Sequence, residues 1–168
     1  LRVSIHVFLA TACALVSSVL TGSSSLANTN ELCVTPNNER SANCNRITLM
    51  YFYNGTSKMC QHFRWRGCDR EGVFETRHQC VSHCNKDQGA PFCAAPPPNP
   101  CKENEISQGR ERFYYNITIK ACLSYTFCGG RQPVLDNNHF VAKGYCRKQC
   151  GGFDENTARA KNEPKAVE

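Results

Sequence analysis

The chain has 168 residues, with 20 Lys and Arg against 14 Asp and Glu, a net charge of +6 and 13 cysteines. Aromatic residues at 10%, with 11 Gly and 8 Pro, exclude a disordered polymer, a coiled coil and a collagen. The mild, evenly spread positive charge does not make a nucleic-acid binder, and the cysteine count points to a disulfide-rich secreted protein.

Residues 1–27 read as a secretory signal peptide. Arg2 precedes an apolar run from about Ile5 to Leu20, which gives way to Thr21-Gly22-Ser23-Ser24-Ser25. Ser25-Leu26-Ala27 puts small residues at the two positions a signal peptidase reads, so cleavage is expected before Asn28. The run is short and Ser-containing for a membrane span, and an uncleaved anchor is the alternative. The chain starts without Met, and a truncated start is expected. Cys13 leaves with this segment, and the remaining twelve cysteines form an even set between Cys33 and Cys150.

A repeat organises the chain from Cys33 onward. Six cysteines stand at 33, 44, 60, 68, 80 and 84, and six more at 93, 101, 122, 128, 146 and 150. Each group ends in C-x3-C. Tyr51-Phe52-Tyr53-Asn54 before Cys60 corresponds to Phe113-Tyr114-Tyr115-Asn116 before Cys122. Phe63 and Trp65 match Tyr125 and Phe127, and Phe74 matches Phe140. Two copies of one small module account for this pattern. The polar, Gly- and Pro-containing stretch Asn85 to Phe92 reads as the linker.

In each module the aromatic runs predict a β-hairpin: Leu49–Tyr53 with Gln61–Trp65 around the turn signal Asn54-Gly55, and Arg112–Asn116 with Leu123–Phe127. Short helices are predicted over Glu75–Cys84 and Val141–Cys150. Their C-x3-C spacing sets both cysteines of each pair on one helical face, aimed at the hairpin. Gly151 is expected at the second helix's C-terminus, where a residue free to adopt positive φ is wanted. A module of roughly 55 residues buries too little apolar surface to offset its chain entropy comfortably. Disulfides, each contributing about 2–4 kcal/mol, are the usual remedy. Zinc is the alternative, because His62, His78 and His83 lie among Cys60, Cys80 and Cys84. The spacings fit no common C-x2-C finger, so no metal and no cofactor are expected, and these histidines are read as solvated.

The first module resembles the Kunitz (pancreatic trypsin inhibitor type) family. The family pattern is close to C-x8-C-x15-C-x7-C-x12-C-x3-C, and this copy has C-x10-C-x15-C-x7-C-x11-C-x3-C. Tyr51-Phe52-Tyr53-Asn54, Phe63, Gly67-Cys68 and Phe74 sit where the family puts such residues. Two such modules after a signal peptide resemble the salivary anticoagulants of ticks. The resemblance implies a small disulfide-rich α+β fold: two tandem Kunitz-type domains, each a twisted β-hairpin with a C-terminal helix. The domains would span 28–84 and 93–150, with a linker at 85–92 and a polar, disordered tail at 151–168. Sequence alone permits 15 pairings of six cysteines; the resemblance implies Cys33–Cys84, Cys44–Cys68 and Cys60–Cys80.

The resemblance also implies function. The segment around the second cysteine would be an exposed reactive-site loop, Asn43, Cys44, Asn45, Arg46 and Ile47, offered to a serine protease like a substrate. Rigidity from the second-to-fourth cysteine bridge would remove the ordering cost of binding and slow turnover. The scissile bond would be Asn45–Arg46, with Asn45 in the primary specificity position. Asn45 is uncharged and too short to reach the carboxylate of a trypsin-like pocket, which costs about 2–5 kcal/mol of trypsin binding. Ala42 and Arg66 occupy positions that are usually Gly in the family, and Gly72 one that is commonly a buried Asn.

The second module is more divergent, C-x7-C-x20-C-x5-C-x17-C-x3-C. A relocated Cys101–Cys128 bridge is expected, with Cys93–Cys150 and Cys122–Cys146 kept, and a longer, looser loop from Lys102 to Arg110. Lys102 or Ser107 would hold the specificity position, depending on the register. Asn138 and Phe140 fit the family's buried pair. This copy reads as a binding module or as a decayed duplicate. The sequons Asn54-Gly55-Thr56 and Asn116-Ile117-Thr118 occupy equivalent turns and are candidate glycosylation sites. The expected partner is a trypsin-fold serine protease or its zymogen, a clotting factor among them, with neither nucleic acid nor membrane involved and the chain a monomer. No Ser/His/Asp or Cys/His arrangement survives cysteine pairing, so the chain reads as no enzyme. The competing function is a non-inhibitory interaction module.

Overall fold

The computed structural model describes residues 31–37, 44, 47–67, 69–130 and 137–161. The expected signal segment 1–27 lies outside them. The aromatic runs form two antiparallel hairpins. In the first, β1 (Thr48–Asn54) pairs with β2 (Met59–Trp65), from Thr48 opposite Trp65 to Asn54 opposite Met59. In the second, β3 (Arg110–Asn116) pairs with β4 (Ala121–Phe127) in the equivalent register. Each strand extends a residue or two beyond its predicted span in at least one direction.

Both turns are built by an asparagine side chain. Asn54 Oδ1 accepts from the backbone N–H of Thr56 at 2.9 Å and Ser57 at 3.3 Å, and Asn116 Oδ1 from Thr118 at 3.1 Å and Ile119 at 3.2 Å. The left-handed residues are Lys58 and Lys120, not Gly55. The turn signal therefore acts through side-chain hydrogen bonding rather than through glycine.

Each hairpin is covered by a helix, α1 (Arg77–Cys84) and α2 (Lys143–Cys150), starting two residues later than predicted. Thr76 sets the first start: its hydroxyl accepts from Gln79 N–H at 3.2 Å, and the Gln79 side chain accepts from the Thr76 N–H at 3.2 Å. The expectation for Gly151 needs correction. Gly151 has φ −59, and the positive φ falls on Gly152, at +101. Gly151 is needed for space instead, since a Cβ there would lie 2.5 Å from the Arg147 carbonyl.

Five bridges between described residues tie these elements: Cys33–Cys84, Cys60–Cys80, Cys93–Cys150, Cys101–Cys128 and Cys122–Cys146. Cys44 is also disulfide-bonded, while Cys68, its expected partner, lies outside the described residues.

The two hairpin–helix units share one hydrophobic cluster, in which Tyr51, Phe74 and Val81 of the first are continuous with Tyr115, Phe140 and Phe153. Within the expected linker, Gln88, Gly89 and Ala90 are buried, and Gly89, at φ +59, lies so close to the backbone of residues 158–160 that a Cβ would meet it at 2.6–2.8 Å. The tail expected to be disordered begins with ordered structure. Phe153 is 0% exposed and α3 (Glu155–Ala158) is capped by Asp154, whose Oδ1 accepts from Asn156 and Thr157 N–H. Ala90 N–H donates to Ala158 O at 2.8 Å, and Lys161 N–H to Asp87 O at 2.8 Å, so linker and tail hold each other through their backbones. Residues 162–168 lie outside the described set.

Candidate functional site

A hairpin has two ends, and the strand lengths keep them apart. Seven residues per strand separate the asparagine turns from the opposite end by roughly 20 Å. At that opposite end of the first unit, the chain runs from Cys44 through Ile47 into β1, and β2 leaves through Arg66 and Gly67. Cys44 is half-buried and bridged, and Ile47 is 61% exposed. Asn43, Asn45 and Arg46 lie outside the described residues, as does Ala42. What the structure describes is the frame on either side of them.

That frame is rigid on both sides. Trp65, opposite Thr48, is buried, and its Nε1–H donates to Asp69 O at 2.9 Å, closing the β2 exit. Arg70 stacks on the Trp65 ring at 5.4 Å and pairs with Glu75 at 3.1 Å. On the β1 side, Tyr51 exchanges both backbone bonds with Phe74, at 2.9 and 2.8 Å. Gly72 has φ +68, and a Cβ there would sit 2.9 Å from the Val34 carbonyl.

The second unit shows what an asparagine does at the position Gly72 occupies in the first. Asn138 is buried; its Oδ1 accepts from Tyr115 N–H at 2.7 Å, and its Nδ2 donates to Tyr115 O at 2.8 Å and Ala95 O at 2.6 Å. One amide thus pins the outer edge of β3 to the segment entering the unit. In the first unit the linker supplies a comparable grip on the opposite strand: buried Gln88 accepts from Cys60 N–H at 2.6 Å and donates to Cys60 O at 2.9 Å. Sequence reasoning missed this residue, because an isolated polar side chain in a polar stretch carries no periodic signal.

The loop end of the second unit has a different shape. Lys102 is exposed and extended, at φ −74 and ψ 161, and residues Glu103–Gln108 then form a 3-10 helix. The loop is long, as expected, but it is not loose. Cys101 N–H donates to Thr126 O at 2.9 Å, Cys128 N–H to Asn99 O at 3.0 Å, and Gly109 N–H to Ile106 O at 3.1 Å. A Cβ on Gly109 would lie 2.5 Å from Cys101 Sγ. Arg110 donates to Gly129 O at 2.8 Å and stacks on Phe127 at 5.6 Å. Ser107 is exposed, and Ile106, 53% exposed, stands out from the helix. A substrate-like loop runs extended along a protease cleft, whereas here a helical turn follows Lys102 directly.

The titratable groups near this end serve structure. Tyr125 Oη and His139 Nδ1 are 2.7 Å apart. Burial, opposed by Arg112, pushes the tyrosine up to about 12, and burial with Arg112 and Arg110 holds the histidine below its usual value. Of the three histidines of the first unit, His78 is not a solvated position: its ring meets Phe153 edge-on at 4.9 Å, and burial lowers its pKa. The arrangement offers shaped, covalently fixed surfaces for recognition.

Residues 32–85 match the family model of the Kunitz/Bovine pancreatic trypsin inhibitor domain. Over 112 residues the chain is 30% identical to tissue factor pathway inhibitor 2 of Homo sapiens, covering 64% of this chain and 44% of that protein. It is 29% identical over 112 residues to inter-alpha-trypsin inhibitor of Capra hircus, covering 64% and 80%. The NMR structure of ixolaris, studied for its interaction with factor X, aligns at 21% identity over 73% of this chain and 97% of that one, with a TM-score of 0.26. The chain spans about half the length of the tissue factor pathway inhibitors it matches. These relatives are inhibitors, not enzymes.

Proposed function

From a chain that carries a Kunitz-type domain at residues 32–85 and is homologous to tissue factor pathway inhibitors, we infer a secreted, substrate-like inhibitor of a trypsin-fold serine protease. The observation that carries this reading is the delivery frame: a bridged Cys44 and an exposed Ile47 leading into β1, between a helix cross-linked to β2 and a closed β2 exit. The bond offered to the protease nucleophile is Asn45–Arg46, held by a Cys44–Cys68 bridge. Clotting proteases or their zymogens are the proposed targets, with an anticoagulant outcome, and names among the relatives support that choice. The chain acts as a monomer of two tandem Kunitz-type domains, 28–84 and 93–150, behind a signal peptide at 1–27. Glycans are proposed at Asn54 and Asn116, at the hairpin ends remote from the loop.

The exposed 3-10 helix of the second unit favours a second role, docking on a protein surface outside a protease cleft. An inhibition panel of trypsin, chymotrypsin, elastase and clotting proteases tests both readings. Inhibition of at least one enzyme below micromolar chain supports the first. Binding to a protease or zymogen with its active site left free supports the second and removes the first.

A further inference from the structure

The strand that carries the first loop is held from the other unit. Residues two apart on a strand present their backbone groups to the same edge. Tyr51 exchanges its bonds with Phe74, so Leu49 also turns its carbonyl away from β2, to the outer edge. That carbonyl accepts a 2.7 Å hydrogen bond from the ammonium of Lys148, 99 residues away in the last turn of α2. The same Nζ lies 3.6 Å from Met50 Sδ. In the second unit the equivalent carbonyl, of Glu111, is met at 2.7 Å by the neighbouring Arg112, within its own strand.

The adjacent residue of α2 extends the grip. Gln149 is buried and accepts from Arg77 Nε–H at 3.0 Å, while the Arg77 guanidinium stacks over Tyr51 at 5.8 Å and Phe92 at 5.1 Å. The end of α2 therefore holds β1 directly through Lys148 and indirectly through Arg77. Leu49 is three residues from Arg46 and two from the exposed Ile47. A half-buried, charge-assisted bond at this point fixes the path by which the chain leaves the loop.

We propose that Lys148 is a positioning residue for the first reactive loop, so that tight inhibition by the first unit requires the second. The inference rests on the substrate-like reading of that loop. Its physical content is that stiffness after the scissile bond slows hydrolysis and lowers the ordering cost of binding.

The test uses the full chain carrying Asn45→Lys, with trypsin as the probe. Lys148→Met keeps the length of the side chain and removes its donor; Lys148→Arg restores a donor. Lys148→Met is expected to raise Ki about tenfold, to speed cleavage after position 45 and to increase amide exchange at Thr48–Tyr51. Lys148→Arg is expected to recover most of each change. Readings taken well below the unfolding midpoint separate this from general destabilisation, which would leave cleavage rate and Ki unmoved. Unchanged Ki, cleavage and exchange in Lys148→Met overturn the proposal. If the Asn45→Lys chain fails to inhibit trypsin at all, the loop reading falls, and unchanged exchange at Thr48–Tyr51 would remove the hold on β1 as well.

Discussion

Single side chains set the character of each unit. The residue proposed for the primary specificity position, Asn45, cannot make the charged contact a trypsin pocket rewards. Asn45→Lys is predicted to tighten trypsin binding by about a hundredfold or more, read as Ki in a competitive assay. An unchanged Ki would mean that this residue does not enter the pocket. Asn138 is the clearest structural case. Its amide satisfies both backbone groups of Tyr115 and the Ala95 carbonyl, so Asn138→Ala leaves several buried groups without partners. A loss of about 3 kcal/mol in denaturant unfolding is expected. Asn138 was legible in the sequence only through the family resemblance, as the buried partner of Phe140; the equivalent position of the first module is Gly72. Gln88 and Lys148 were not: each makes its contacts with residues far along the chain, and neither belongs to a pattern that spacing reveals.

At the scale of elements, hairpins and helices arise from local residue patterns. Aromatic runs flanking an asparagine turn, and C-x3-C on a helical face, carry local signals strong enough to place the four hairpin strands and the two cysteine-bearing helices within two residues at every end. The linker and tail carried none. Their burial comes from backbone hydrogen bonds, from Gly89 and from two isolated aromatic side chains, Phe92 and Phe153, which pack on the shared cluster. Phe153→Ala is predicted to cost about 3–5 kcal/mol in chemical denaturation, since its cavity would open between His78 and Tyr115, whose hydroxyl donates to Phe153 O at 2.7 Å. His78 makes this contact pH-sensitive. Burial holds its folded pKa below the usual 6.5, opposed by Asp154, so the unfolded chain binds more protons as pH falls through that value. Stability is therefore fully present above that value and declines as pH drops toward the folded pKa; His139 adds in the same direction. His78→Phe keeps a ring against Phe153 and is expected to flatten this slope between pH 7 and 5, leaving the part due to His139. An unaltered slope would show that His78 does not titrate with folding.

For the whole molecule, the sequence supports two modules on a string, while the structure joins them through one apolar cluster, a buried linker and a tail that locks back onto it. The sequence hides this because the joining contacts follow no periodic pattern: Arg77 with Gln149, Lys148 with Leu49, Ala90 with Ala158. Under the proposed function this gives a division of labour: the first unit would offer the substrate-like loop, and the second, with its helical turn after Lys102, would buttress the first.

The central claim is that the chain is gripped as a substrate yet released slowly. It is tested most directly by incubating the intact, oxidised chain with an inhibited protease at equal concentration and mapping the cut bonds by mass spectrometry. The account predicts slow cleavage confined to Asn45–Arg46, with both fragments held together by disulfides and the enzyme still inhibited. Rapid cleavage at several bonds, or inhibition with no cut at that bond while one appears between Lys102 and Arg110, would contradict it.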